Sequence, residues 1–286
     1  MTKLLFILLQ HLVPQHFLSR CVGKLAECRV TPLKNGLINQ FIKAYKVDMS
    51  QAQRQTADEF ENFNDFFTRE LKEGQRPICD DSQIASPADG AISEIGGIHY
   101  DQIVQAKHKY YTVSSLLASA TDAQLFTGGQ FATVYLSPKD YHRVHMPVAG
   151  KLLKTRYIPG DLYSVNQTTA DNVDNVFARN ERLVCLFETE QGPVAVVLVG
   201  AMIVAGISTV WQKDYPAKPF TVVEELFGED GAVLQQGDEL GRFYLGSTAI
   251  VLMPEGMGSW DENLSNGCSV VMGEAIGEKL KGTSQV

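Results

Sequence analysis

Hydrophobic positions change their period along the chain. In the first third they recur at helical spacing. The apolar run L-L-F-I-L-L-Q-H-L-V (4–13) is followed by Pro14, which cannot continue a helix without losing a backbone hydrogen bond. Leu37, Ile38, Phe41, Ile42 and Tyr45 then share one face, with Lys34, Lys43 and Lys46 nearby, and predict a basic amphipathic helix. Thr56 and Glu59 form a capping-box pattern ahead of Phe60, Phe63, Phe67 and Leu71, and Gly74 and Pro77 close this third predicted helix. From about residue 80 the texture shifts to short β-type runs separated by Gly, Pro and Asn/Asp. They cover 131–136, 182–188, 193–199, 241–245 and 248–253, and one short helix is expected around S-S-L-L-A-S-A within 101–125. Helical periodicity is too scarce there for a βαβ repeat. The expected class is therefore α+β, with a helical region at 1–75 and a β-rich domain at 76–286.

Composition narrows the classes of function. The 286 residues are 44% hydrophobic and 20% charged, which suits a chain with a buried core and excludes a disordered tail. The net charge of −8 is unevenly placed: residues 1–46 hold seven Lys/Arg against Glu27 alone, a net +6, leaving −14 on the remainder. An acidic body repels nucleic acid, whereas a basic apolar arm suits an anionic membrane surface. The first two helical segments admit two readings, packing on the core or peripheral membrane attachment. Export is disfavoured: no A-x-A site follows the apolar run, Arg20 precedes Cys21, and more positive charge lies after the run than before it. The run is also too short to span a bilayer. Five cysteines, with no C-x-x-C pair, support neither a disulfide framework nor a thiolate zinc site.

No nucleotide-binding, zinc-protease or EF-hand signature is present. Three segments remain as candidate chemistry: S-P-A-D-G (86–90), Y-H-R-V-H-M-P (141–147) and F-Y-L-G-S-T (243–248). Gly246 and Ser247 interrupt an apolar stretch that would otherwise be one buried strand. The pair reads either as a β-bulge or as a hydroxyl beside a sterically open carbonyl, which would put the Gly246–Ser247 bond at risk. His142 and His145, three apart, lack the partner carboxylate or third histidine a metal site wants; each reads either as a histidine that satisfies buried backbone groups or as a general base for a hydroxyl nucleophile. A base of this kind needs an orienting acid, for which Asp89 is the candidate, its alternative being plain Asp-Gly turn chemistry. Trp211 and Tyr215 could touch a ligand or line the core and are left out of the site.

Together with F-F-T-R-E-L-K-E-G-Q-R-P-I (66–78), these segments stand in an order that resembles the bacterial phosphatidylserine decarboxylases, over nearly the whole chain. The resemblance implies a proenzyme with a processing triad of Asp89, His145 and Ser247, in which Asp89 orients His145 and favours its charged form. Self-cleavage at Gly246–Ser247 would give fragments 1–246 and 247–286 and convert Ser247 into a covalent pyruvoyl cofactor. That group would form a Schiff base with phosphatidylserine and release CO₂ and phosphatidylethanolamine, with His142 as a proton donor cycling near neutral pH. No metal is implied. The family also implies a homodimer of the fragment pair, held peripherally by its amino-terminal arm on the cytoplasmic face of the inner membrane. The competing readings are a pyruvoyl decarboxylase for another amino substrate, a serine hydrolase using the same residues, and an uncleaved membrane-surface scaffold.

Overall fold

The computed structural model describes residues 7, 8, 10, 13–201, 206–213, 215, 221–244 and 247–280. Lys3, much of the 4–13 run, Leu245 and Gly246 lie outside them. Three helices come first, α1 (Gln15–Ala26), α2 (Thr31–Tyr45) and α3 (Phe63–Phe67). Strands β1 (Gln83–Ala85), β2 (Gly90–Gly97), β3 (Gln102–Ala106) and β4 (Lys109–Thr112) lead to the short helices α4 (Val113–Leu117) and α5 (Ala120–Gln124). Next come β5 (Gln130–Leu136), β6 (Arg143–His145), β7 (Gly150–Ile158), α6 (Gln167–Asn172) and α7 (Val176–Arg179). The remaining strands are β8 (Arg182–Thr189), β9 (Gly192–Gly200), β10 (Ile207–Thr209), β11 (Val223–Leu226), β12 (Val233–Leu234), β13 (Glu239–Phe243), β14 (Ser247–Met253), β15 (Gly258–Trp260), β16 (Ser269–Val270) and β17 (Ala275–Lys279). Helices followed by a strand-rich body make the expected α+β architecture.

A nine-stranded antiparallel sheet organises the body, in the order β11-β7-β8-β9-β14-β5-β2-β16 with β12 beside β7. Its strands read as continuous apolar runs because both faces are covered. On one face Val134, Val196, Leu198, Ala249 and Val251 join a cluster with Ile84, Val144, Ile207, Leu240 and Phe243 from the two small sheets, β1-β17-β15 and β10-β13-β6. On the other, Phe131, Val197, Ile250 and Leu252 meet Leu116, Leu117, Phe126, Val176 and Phe177 from the short helices and their flanks. All seven residues of β14 are buried, and each large aliphatic there contributes about 1.5–3 kcal/mol on burial.

The amino-terminal region differs from expectation in two places. The Thr56–Glu59 capping box forms, but it caps a 3-10 turn at Ala57–Glu59. Asn62, extended, then starts a separate helix α3 by accepting a hydrogen bond from the Asp65 amide. Phe60, Phe63, Phe66 and Phe67 pack with Ile38, against Leu37, Phe41 and Ile42 of α2. The apolar stripe of α2 thus faces protein. Lys34, expected on a basic surface, is 4% exposed, and its Nζ donates to the carbonyls of Ala57 at 2.8 Å and Phe60 at 2.6 Å. The exposed apolar groups of the arm are Leu8 ahead of α1, Phe17 (60%) and Leu25 (41%) on α1, Val30, and Leu33 and Tyr45 near the two ends of α2, with Arg20 and Lys24 exposed on α1. Among the described residues no helix is long and apolar enough to cross a membrane.

Lys34→Ala leaves two carbonyls buried without a donor, at a cost of about 2–4 kcal/mol. Thermal melts should show a Tm several degrees below the parent chain; an unchanged Tm would mean that water reaches those carbonyls.

Candidate active site

The backbone itself draws the three candidate segments together. The His145 amide donates to the Pro87 carbonyl at 2.8 Å and the Ala85 amide to Pro147 at 3.0 Å, so the 86–90 segment lies along the histidine strand β6. On its other side β6 pairs with β13, Glu239 opposite His145 and Arg242 opposite Arg143. The chain leaves that small sheet after Phe243 and joins the central sheet at Ser247, which pairs with Leu136 of β5 and Gly200 of β9. The apolar stretch 243–253 is therefore two strands in two sheets. Because β5 ends at Leu136 and runs on into the histidine segment, the start of β14 and the loop to His142 share one end of the sheet.

Asp89 is 6% exposed and sits in the connection from β1 to β2, strands that do not pair, so Asp-Gly makes no hairpin here. A Cβ on Gly90 would meet the Tyr135 carbonyl oxygen at 2.2 Å, which is why glycine follows the aspartate. Both Asp89 oxygens are held by Arg76, Nε to Oδ1 at 2.8 Å and Nη2 to Oδ2 at 2.5 Å, and the Met272 amide adds a third bond at 2.9 Å. No hydrogen bond joins Asp89 to His145, contrary to the expected orienting contact. The geometric reason is that Arg76 offers a bidentate fork that an imidazole cannot match.

His145 is oriented by backbone instead. Its Nδ1 lies 2.8 Å from the Gly237 carbonyl and its Nε2 lies 3.3 Å from the Tyr141 hydroxyl. A carbonyl only accepts, so Nδ1 carries the proton and Nε2 keeps a lone pair. Gly237 has a φ of +85° and abuts Ile78, where a Cβ would sit 2.6 Å from that side chain. Burial pushes the His145 proton affinity down, with Arg143 adding to it, while the Gly237 bond, Glu239 and Asp89 pull the other way. The charged His145 expected from Asp89 is thus replaced by a neutral one, the form a base requires.

His142 is wholly buried, its ring 4.0 Å from that of Phe67. Nδ1 donates to the Asp140 carbonyl at 2.9 Å, and Nε2 has no partner. Burial, reinforced by the charge of Arg69, pushes its pKa down to about 3, away from the near-neutral titration expected of it. Ser247 is fully buried and its Oγ is likewise without a partner. Trp211 and Tyr215 bond to each other at 2.9 Å and belong to the core beneath the sheet.

Sequence reasoning missed the roles of Phe67, Arg76, Tyr141 and Gly237. Arg76 and Phe67 both lie in the 66–78 segment, where two arginines amid apolar residues were the available signal. Nothing in the sequence singled out Gly237.

A family model described as phosphatidylserine decarboxylase matches residues 63–278, and a second, described as PSD, matches 5–46. The chain belongs to the phosphatidylserine decarboxylase family. It is 53% identical to the phosphatidylserine decarboxylase proenzyme of Alcanivorax borkumensis, over 93% of each chain. The proenzyme of Ectopseudomonas mendocina is also 53% identical, over 97% of this chain and 99% of that one. That of Acinetobacter baylyi is 53% identical over 96% of each. The match from residue 63 takes in α3, so the family's own boundary includes Phe67, Arg69 and Arg76 with the strand-rich body.

Because both histidines bind protons more weakly folded than unfolded, the unfolded chain gains protons first as pH drops. Stability held above about pH 6.5 is then lost on the way down toward about pH 3, where His142 titrates. His142→Gln should therefore lose unfolding free energy less steeply than the parent across that window, as read by denaturant titrations at stepped pH. Equal slopes would show that His142 is not held neutral by the fold.

Proposed function

We propose that the chain is a self-processing phosphatidylserine decarboxylase, with Ser247 the residue that becomes its prosthetic group. The observation that supports this most is the presence of two buried, unpartnered atoms, the Ser247 hydroxyl and the Nε2 lone pair of His142, with the unprotonated Nε2 of His145 on β6, which has only the Tyr141 hydroxyl at 3.3 Å. Buried hydroxyls and imidazoles ordinarily find partners, and those that do not are held ready for something else.

Processing begins with His145. Its Nε2 takes the Ser247 hydroxyl proton, and Oγ attacks the Gly246 carbonyl, moving the acyl group from nitrogen to oxygen. Tyr141, within reach of the same nitrogen, holds the ring against rotation. Loss of the Ser247 α-proton expels the carboxylate of Gly246 and leaves a dehydroalanine, which takes up water and releases ammonia to become the pyruvoyl group. Asp89 then acts from a distance, by its charge and by fixing the 86–90 segment through Arg76. The residues present fit this group, since it needs no ligand beyond the chain itself. The pyruvoyl carbonyl supplies an electron sink, the part a pyridoxal cofactor plays elsewhere. His142 returns a proton to the substrate carbon that loses CO₂, and Phe67 against its ring keeps water away from that step.

The same reading divides the chain into an amino-terminal helical region, 1–75, with membrane-associating segments, and a β-rich catalytic domain, 76–286, to whose histidine site Phe67 and Arg69 of the first region contribute, with attachment to the cytoplasmic face of the inner membrane. Support comes from α1, which shows Phe17 and Leu25 to solvent beside Arg20 and Lys24. Assembly of the fragment pair as a homodimer belongs to this reading through family resemblance.

Intact mass and a denaturing gel test the processing. Wild type should give two fragments, the smaller beginning at position 247 with a pyruvoyl terminus; Ser247→Ala and His145→Ala should each give one chain. His142→Ala should cleave and still fail to decarboxylate, while Asp89→Asn should cleave more slowly. Cleavage in Ser247→Ala, or a fragment starting elsewhere, would sink the mechanism.

Flotation with anionic vesicles tests the arm. Arg20→Gln with Lys24→Gln should weaken binding about thirtyfold at low salt, from roughly 1 kcal/mol per cation. Phe17→Ser should weaken it at high salt too, where charge is screened. Flotation equal to the parent in both variants would remove α1 from the membrane contact.

A further inference from the structure

Two of the residues with buried polar atoms that lack partners line one cleft: Arg69, through Nε and Nη1, and Ser137, through Oγ. Arg69 is 3% exposed and forms no ion pair among the described residues; its Nη2 alone is used, on the carbonyls of Lys139 at 3.0 Å and Asp140 at 3.4 Å. It forms one wall of a cleft of about 480 Å³ between the 46–76 segment and the end of β5. Four cations and three carboxylates line that cleft, and the carboxylates are all committed. Asp89 is bound by Arg76, Asp140 accepts from the Ser137 amide at 2.7 Å, and Asp48 accepts from Ser50 and Gln51. Arg76 is the one cation of the four in an ion pair; of Lys46, Lys139 and Arg69, which form none among the described residues, Arg69 alone is buried.

We propose that Arg69, helped by Ser137, receives the phosphodiester of the substrate headgroup. This extends the decarboxylase reading and rests on it. Ser137 lines the same cleft as Arg69 with its hydroxyl buried and without a partner, one residue on from Leu136, which pairs with Ser247. Arg69 shares the Asp140 carbonyl with His142, which puts the guanidinium one oxygen atom away from the imidazole. In a serine phospholipid the phosphorus is three bonds from the carbon that loses CO₂, so an anion site so near the histidine suits the headgroup.

The headgroup carries a second anion, the carboxylate, and chemistry separates the two. A cation bonded to the departing carboxylate would stabilise it more before reaction than during it, because its charge moves away as CO₂ forms, and the step would slow. The phosphodiester keeps its charge throughout, so its binding anchors the substrate without that penalty. Pairing Arg69 with a phosphate also cancels the positive field that helps hold His142 neutral, raising its affinity for the proton it must deliver.

Two soluble amines distinguish a phosphate site from a general binding role: glycerophosphoethanolamine, with the phosphodiester, and 2-butoxyethylamine, with an ether in its place. Dissociation constants are measured by calorimetry on purified full-length enzyme. Arg69→Gln should weaken glycerophosphoethanolamine roughly tenfold or more and 2-butoxyethylamine less than about twofold, Arg69→Lys should recover part of the loss, and Ser137→Ala should cost several-fold. Equal weakening of both amines would make Arg69 a structural residue, and unchanged glycerophosphoethanolamine binding would place the phosphate elsewhere; either overturns the proposal. If Arg69→Gln does not accumulate as folded protein, Ser137→Ala decides by the same ratio. Fragment patterns and CO₂ release on the wild-type preparation report separately on the decarboxylase reading. An enzyme that neither cleaves nor releases CO₂ refutes that reading, while the amine ratio still judges the phosphate site.

Discussion

Everything at the candidate site depends on the two ladders that hold β14. With β5 on one side and β9 on the other, and apolar clusters on both faces, this strand has no freedom to slide: a shift of one residue would exchange every side chain between the two clusters. Its first residue is Ser247, so the register that packs Ala249 and Val251 on one face also fixes where the hydroxyl starts. The partner strand β5 continues past Leu136 into the segment that bears both histidines. One hydrogen-bonded pairing thereby positions Ser247 and the start of the loop to His142.

Packing this tight has a cost, which the site concentrates. Buried polar atoms left without partners cost about 1–3 kcal/mol each, and those of Ser247, His142, Arg69 and Ser137 stand at one end of one sheet. The central sheet can sustain that because its own strands are so thoroughly buried. Both histidines are pushed toward their neutral forms, and their Nδ1 protons are tied to backbone carbonyls, so each presents the unprotonated Nε2. For His145 burial outweighs the charges of Glu239 and Asp89, and Asp89 itself is held by Arg76.

Legibility in the sequence followed locality. The change from helical to β-type spacing, the capping box at Thr56 and the strands that became β5, β8, β9 and β14 were readable because period and turn residues are local signals. The partners of charged groups were not. Lys34 stands one turn before Ile38 and two before Phe41, on the apolar face of α2, so its spacing turns it inward, but the two carbonyls that satisfy its charge come from a turn more than twenty residues away. Asp89 has the right chemistry to orient a histidine, but Arg76, thirteen positions earlier, reaches it first. Residues 243–253 look like one interrupted strand because hydrophobicity does not record which sheet a strand joins. The helices α6 and α7 went unread in a stretch dense with Asn and Asp, which cap and break short helices as readily as they signal loops.

Division into an arm and a body is therefore a division of surface, not of the site. Phe67 packs on His142, the Thr68 carbonyl holds Arg143 of the histidine strand at 2.9 Å, and Arg69 shares a carbonyl with His142, all from the segment that follows the helices. The aromatic cluster that buries Phe60, Phe63 and Phe66 under α2 keeps that segment in place. A force or a truncation that loosened α2 would withdraw the wall of the histidine site along with the exposed residues of α1. The helices and the histidine site are then coupled through one run of phenylalanines: the segment that packs under α2 is also the part that closes against His142.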